Sequence, residues 1–332
     1  MEERKRSIDC RFLLGLYAVV PLAVGLALVD HVALGGHLNT RYLPREPAHW
    51  PFWTVIFGLP HIIASMVTMA DREYLAHYRG RLLWPLLIFA GIAAAGLMGP
   101  QPLGRQLLFI FIAFYTIYHV LSQQLGLTLV MMGIPPSQAF KAWKWLSIFT
   151  GFVLYTIVYG REELGNFSAG GLTLYEALGF MAAMLSAALL VAAYRVSTEA
   201  RHAIGVWYLW GNVALILSAF LVLELGYTVF VILMPRVIHD LTAFAVYITH
   251  DANRNRDRPR NLLYRLTRFT RLPPVVVLPL LSVGIAYAMT TNRDLMAVNI
   301  AVVAISFLHY YMEGFIWRGP TPHRSQIAFG SP

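Results

Sequence analysis

Apolar residues in this chain come in long unbroken runs, separated by short polar connectors in which arginine is frequent. A membrane-crossing helix needs about 20 mostly apolar residues. On that measure the pattern predicts ten spans, at about residues 12–30, 51–70, 82–99, 106–131, 142–159, 174–194, 204–223, 226–249, 273–290 and 295–317. Only Glu224, Leu225 and Gly226 separate the seventh from the eighth, so a tight turn is expected there. The predicted fold is an all-α, polytopic transmembrane helix bundle, formed by the whole chain as one integral membrane domain.

Composition agrees. The 332 residues are 58% hydrophobic and 13% charged, and mean hydropathy is +0.58. A soluble domain carries about twice that charge. The single cysteine, Cys10, excludes an internal disulfide and any cysteine-rich metal site. The opening MEERKRSIDCR is read as a tail before a retained helix rather than a cleaved signal peptide. The net charge of +9 is no sign of nucleic acid, because most of it lies in a few loops. Residues 71–81 carry Arg72, Arg79 and Arg81, and residues 252–271 carry seven arginines from Arg254 to Arg271. With ten spans, these two loops, the N-terminal tail and the tail holding Arg318 and Arg324 share one side. The opposite loops are poorer in basic residues, and one holds Glu162 and Glu163. The positive-inside rule makes the basic side cytoplasmic, with both termini there. The expected location is a prokaryotic cytoplasmic membrane.

Four histidines interrupt the apolar runs: His61, His119, His239 and His309, in the second, fourth, eighth and tenth predicted spans. Those spans cross in the same direction. Each histidine lies about 10 to 14 residues from the external end, which at 1.5 Å per residue is about 15–21 Å, near the midplane. Ionisable side chains in hydrocarbon are costly and mark function by default. One such histidine bonding a neighbouring helix for packing is an even match for a functional one. Four at one level point to a shared ligand, and imidazole suits iron, copper, zinc and nickel. Glu313, four residues after His309, shares its face and is read as an acceptor for an imidazole N–H, with a fifth ligand and a partner for Arg318 as alternatives. Gln123 stands at the same offset from His119, and Tyr118 precedes that histidine. Asp240 directly follows His239 and is expected to point elsewhere. Phe57, Phe114, Tyr115, Tyr118, Phe244 and Tyr310 neighbour the histidines and are the candidates for lining a substrate slot.

The remaining histidines read as ordinary. His250 and Asp251 are expected to anchor a loop, about 16 Å along the helix from His239. His31, His37 and His49, with Asp30, are read as solvated residues of the first external loop, and His77, His202 and His323 as interfacial. The HExxH, HxxxH and HxxHH boxes are absent, as are the P-loop, GxSxG and GxGxxG motifs.

Gly58-Leu59-Pro60-His61 resembles the GLPH motif of the Brp/Blh family, the membrane β-carotene 15,15'-dioxygenases of bacteria and archaea. Ile117-Tyr118-His119 and Val237-Ile238-His239 are similar to that family's second and third histidine segments, and the run from Leu308 to Arg318 to its closing helix. The resemblance covers four short segments in the same order. It implies a ferrous centre held by histidines, dioxygen as co-substrate, and oxidative cleavage of a carotenoid. The chain departs at Ala243, where the family has a further histidine; His309 is expected to complete the set. A midplane metal is reached from the lipid phase, so a lipophilic substrate is the natural one.

Two other classes fit the same residues. A transporter or channel would use the histidines as a proton relay or metal-ion pathway, with Pro60 and Pro235 breaking helices. A haem protein would use them as axial ligands.

Overall fold

The computed structural model describes residues 5–44, 50 and 53–330. Its framework is ten helices: α1 (Cys10–Ala33), α2 (Leu59–Met69), α3 (Arg72–Met98), α4 (Leu103–Met132), α5 (Gln138–Tyr159), α6 (Leu174–Ser197), α7 (Ala203–Glu224), α8 (Thr228–Arg254), α9 (Pro274–Thr291) and α10 (Met296–Ile316). One helical turn, Trp53–Ile56, precedes α2. The strands are two-residue pairs: β1 (Ser7–Ile8), β2 (Ser168–Ala169), β3 (Leu172–Thr173) and β4 (Ala328–Phe329). The chain is an all-α, multi-pass membrane protein.

Eight of the ten helices are long and apolar enough to cross a membrane. The two exceptions are α2 and α5. The second predicted span is a short apolar helix, Trp53–Met69, interrupted where Gly58 takes φ 86°. The fifth has 22 residues, but Lys141, Lys144 and its tryptophans and tyrosines dilute its apolar character.

Local sequence explains the boundaries. Asp71 caps α3 by accepting from Glu73 N, and Ser137 caps α5 by accepting from Phe140 N. Thr173 and Glu176 form a capping box at the start of α6. The turn between α7 and α8 is as tight as expected: Gly226 adopts φ 85°, which a side chain would resist.

The chain divides into two compact units. One comprises Met1–Asp9, Phe52–Thr116 and Asp240–Gly330, the other Cys10–Pro51 and Ile117–His239 with the last two residues. Helices α4 and α8 run through both. In the first unit α10 packs on α3, and α9 on α2. In the second, α6 lies against α5 and α7, and α7 against α1. Gly205 lets α7 approach α4 closely, since a Cβ there would sit 2.4 Å from Met132 Cα.

The first unit draws together the segments expected on the basic side. β1 pairs in parallel with β4. Asn253 bonds both ends of the chain, through Arg6 N (2.8 Å), Arg6 O (2.9 Å) and Gln326 O (2.8 Å). Arg254 pairs with Asp71 at 2.8 Å and Glu73 at 2.7 Å. His250 is a buried anchor, as expected: it contacts Tyr74 OH at 3.0 Å and Asp251 at 2.9 Å, and Asp251 accepts from Tyr264 OH at 2.9 Å.

Two expectations need correction. His323 is fully buried rather than interfacial, stacked on His250 at 5.0 Å and close to Tyr74, Tyr78 and Trp317. Asp30 is also buried, because it accepts from Leu38 N, Asn39 N and Tyr227 OH and so folds the loop onto itself. His31 and His37 are exposed, and His49 lies outside the described residues.

Burial, reinforced by His250 and the Arg254 charge, pushes the His323 imidazole down to about 2. In the unfolded chain it titrates near 6.5. The unfolded state therefore takes up a proton below pH 6.5 that the folded state refuses, and stability falls as pH drops. His323 alone is expected to remove about 2 kcal/mol between pH 6.5 and pH 5. Chemical denaturation of wild type and His323→Phe across that range checks it, the variant showing the shallower acid loss.

Candidate metal centre

Each of the four histidines His61, His119, His239 and His309 is buried. His61 occupies the first turn of α2, and the residues before it explain the placement. Gly58 alone tolerates its backbone angles of φ 86° and ψ −75°. Pro60 stands in the first helical turn, where a missing N–H costs nothing. Gly58 N donates to Asp240 Oδ2 at 2.7 Å, which holds a carboxylate at the electropositive start of the helix. The other oxygen, Asp240 Oδ1, is 3.1 Å from His61 Nδ1, close in distance though not in hydrogen-bond direction. Asp240, expected to point elsewhere, instead lies against His61.

His309 belongs to α10. Its Nδ1 is 2.8 Å from Ser65 Oγ, and Ser65 Oγ donates to Ile62 O at 2.6 Å. Because the serine proton is committed to that carbonyl, His309 Nδ1 is the donor and carries the proton. The negative charge of Asp240, 3.1 Å from His61 Nδ1, favours the tautomer protonated there without a hydrogen bond between them. Both neutral rings are then left with an unprotonated Nε2. These two atoms, His61 Nε2 and His309 Nε2, face each other at 3.1 Å. Glu313 Oε2 is 3.7 Å from His309 Nε2, and Glu313 Oε1 accepts from Trp317 Nε1 at 3.5 Å. Atoms at such separations need a proton or a cation between them.

In the second unit His119 on α4 and His239 on α8 set their rings edge to face, 5.1 Å between centroids. Gln124 ties these helices together by donating to Pro235 O at 3.3 Å. One ligand atom from each of His61, His119, His239 and His309 lies within 4.8 Å of all the others. Nitrogens each about 2.1 Å from one ion stand roughly 3–4 Å apart, so these four residues could hold a metal ion. The chemistry of the donors fits as well. Four neutral imidazoles would leave a divalent charge undiminished, and the buried carboxyl groups of Asp240 and Glu313 could balance it.

The aromatic candidates separate. Tyr310, next to His309, packs edge-on against Tyr115 at 5.3 Å, and its hydroxyl is 3.0 Å from Thr116 Oγ1. Phe89, Phe111 and Phe307 extend that group into a continuous aromatic wall. Phe57 is half-buried against Trp53, and Phe244 against Ala64, Tyr247 and Leu278. Tyr118 is half-buried against Trp145, and Phe114 is exposed. Sequence reasoning overlooked Ser65 and set Asp240 aside. Ser65 did carry a signal, since it stands four residues after His61 on the same helix.

No protein-family model, curated protein or solved structure matches the chain.

Proposed function

We propose that this protein is a membrane-embedded, metal-dependent oxygenase. His61, His119, His239 and His309 hold ferrous iron, dioxygen is the co-substrate, and a lipophilic molecule is oxidised. The Brp/Blh resemblance of the four histidine segments makes a carotenoid the substrate to try first, in a prokaryotic cytoplasmic membrane. The observation that carries the reading is the pair of Nε2 atoms facing each other at 3.1 Å, with His309 Nδ1 bonded to Ser65 and His61 Nδ1 3.1 Å from the Asp240 carboxylate. Iron, when bound, supplies activation of dioxygen, which imidazole ligation with open positions permits. The chain's own residues supply the rest. Asp240 and Ser65 orient two rings, Glu313 balances charge, and the wall that includes Tyr115 and Tyr310 offers an apolar surface to a polyene.

Purified protein loaded with ferrous iron without oxygen, then given β-carotene and oxygen, is expected to form two retinal molecules per oxygen consumed. Iron-loaded protein that consumes no oxygen with any carotenoid or acyl-chain substrate overturns the oxygenase reading.

A second reading draws on the helix break at Gly58, beside His61, and on Pro235 inside α8. Broken helices at a midplane site are the signature of transporters. Metal-dependent uptake into proteoliposomes, abolished by His61→Ala, supports that reading instead.

A further inference from the structure

The arginine-rich loop after α8 has no part in oxygen chemistry, and its structure suggests a separate task. Residues 262–272 form a short helix, Leu262–Leu266, and a 3-10 turn, Arg268–Thr270. Leu262, Leu266, Phe269 and Leu272 are all strongly exposed, Phe269 at 84%. They recur at three- and four-residue intervals, with Arg265, Arg268 and Arg271 between them. Tyr264, in contrast, is buried and tied to Asp251, so the segment is fastened to the protein by its other side. Exposed apolar residues interleaved with arginine describe a segment lying in a membrane interface.

Beside it is a cleft of about 460 Å³ whose charged lining is Arg72, Arg258, Arg260, Arg265, Asp71 and Glu73. Arg254 holds both carboxylates, and Arg260 adds a 3.0 Å contact to Glu73. Arg265 Nε donates to Pro259 O. Arg72 and Arg258 make no ion pair among the described residues and are exposed. The cleft therefore presents surplus positive charge at the start of α3, with an interfacial segment beside it to set its depth.

We infer that this cleft binds the phosphate headgroup of an anionic phospholipid from the leaflet facing the basic loops, while Leu266 and Phe269 enter that leaflet's acyl boundary. Headgroup phosphate and free phosphate share the chemistry of the arginines. The lipid is the assigned source because the apolar residues serve no purpose for a soluble anion. Each arginine near an anionic surface contributes about 1 kcal/mol, so removing two is expected to weaken binding about thirtyfold.

Native mass spectrometry of the full chain, titrated with phosphatidylglycerol or phosphatidylcholine, tests this. Wild type is expected to retain phosphatidylglycerol at least about tenfold more tightly, a preference that two arginines suffice to produce. R72A/R258A loses that preference, and R105A, with an arginine removed from the first turn of α4, keeps it. L266S/F269S weakens both lipids, and melting curves establish that each variant is folded. Equal retention of the two lipids by wild type, or an undiminished preference in folded R72A/R258A, overturns the proposal. Displacement of phosphatidylglycerol by millimolar inorganic phosphate, with L266S/F269S unchanged, reassigns the cleft to free phosphate and also overturns it.

Discussion

Replacing His309 with alanine is expected to strip the protein of its metal and leave the helices in place. The imidazole provides one of two Nε2 atoms facing each other at 3.1 Å, and its loss leaves His61 Nε2 opposite an empty space. Loss of an outer partner of a metal ligand typically costs 10–100-fold in affinity, and loss of the ligand itself costs more. Metal measured by mass spectrometry on detergent-purified protein is expected at about one ion per chain in wild type, and at less than about a tenth of that in the variant. His61→Ala, His119→Ala and His239→Ala are expected to match it. Circular dichroism separates this from unfolding. Full metal content in folded His309→Ala contradicts the assignment.

Replacing Asp240 with asparagine is expected to have the next largest effect, through two contacts. The carboxylate lies 3.1 Å from His61 Nδ1 and accepts from Gly58 N at the start of α2. Asparagine preserves an acceptor for Gly58 but removes the charge. Metal affinity is therefore expected to fall 10–100-fold with little change in folding. Asp240→Ala removes both contacts and leaves a buried N–H unmet, which adds about 1–3 kcal/mol of destabilisation. Competition with a chelator gives the affinities and denaturant titration the stabilities. An Asp240→Asn protein with wild-type affinity excludes the carboxylate from the centre's support.

The sequence made the helices legible because each carries its own start and stop. Ser137, the Thr173 and Glu176 pair, and Gly226 all act within a few residues of where they stand. The histidines were legible for another reason: imidazole is rare in apolar runs, and equal depth follows from counting along a helix. What depends on direction was not legible. Asp240 reaches His61 across 178 intervening positions in the chain, and a hundred-degree step per residue hides which way it turns until α2 is placed. Ser65 escaped notice because a serine in a membrane helix usually bonds its own backbone, and it does, to Ile62 O, while also accepting from His309. His323 and Asp30 were misread for a related reason. Both lie in connecting segments, where exposure is the ordinary expectation, and both are covered by partners remote in sequence.

X-ray absorption at the edge of the bound metal, on wild-type protein in detergent, tests the four-histidine centre most directly. The account requires a shell of nitrogen or oxygen at about 2.1 Å, with the outer-shell scattering of four imidazole rings. A shell with two imidazoles or fewer contradicts it, as does a protein that takes up no transition metal after reconstitution.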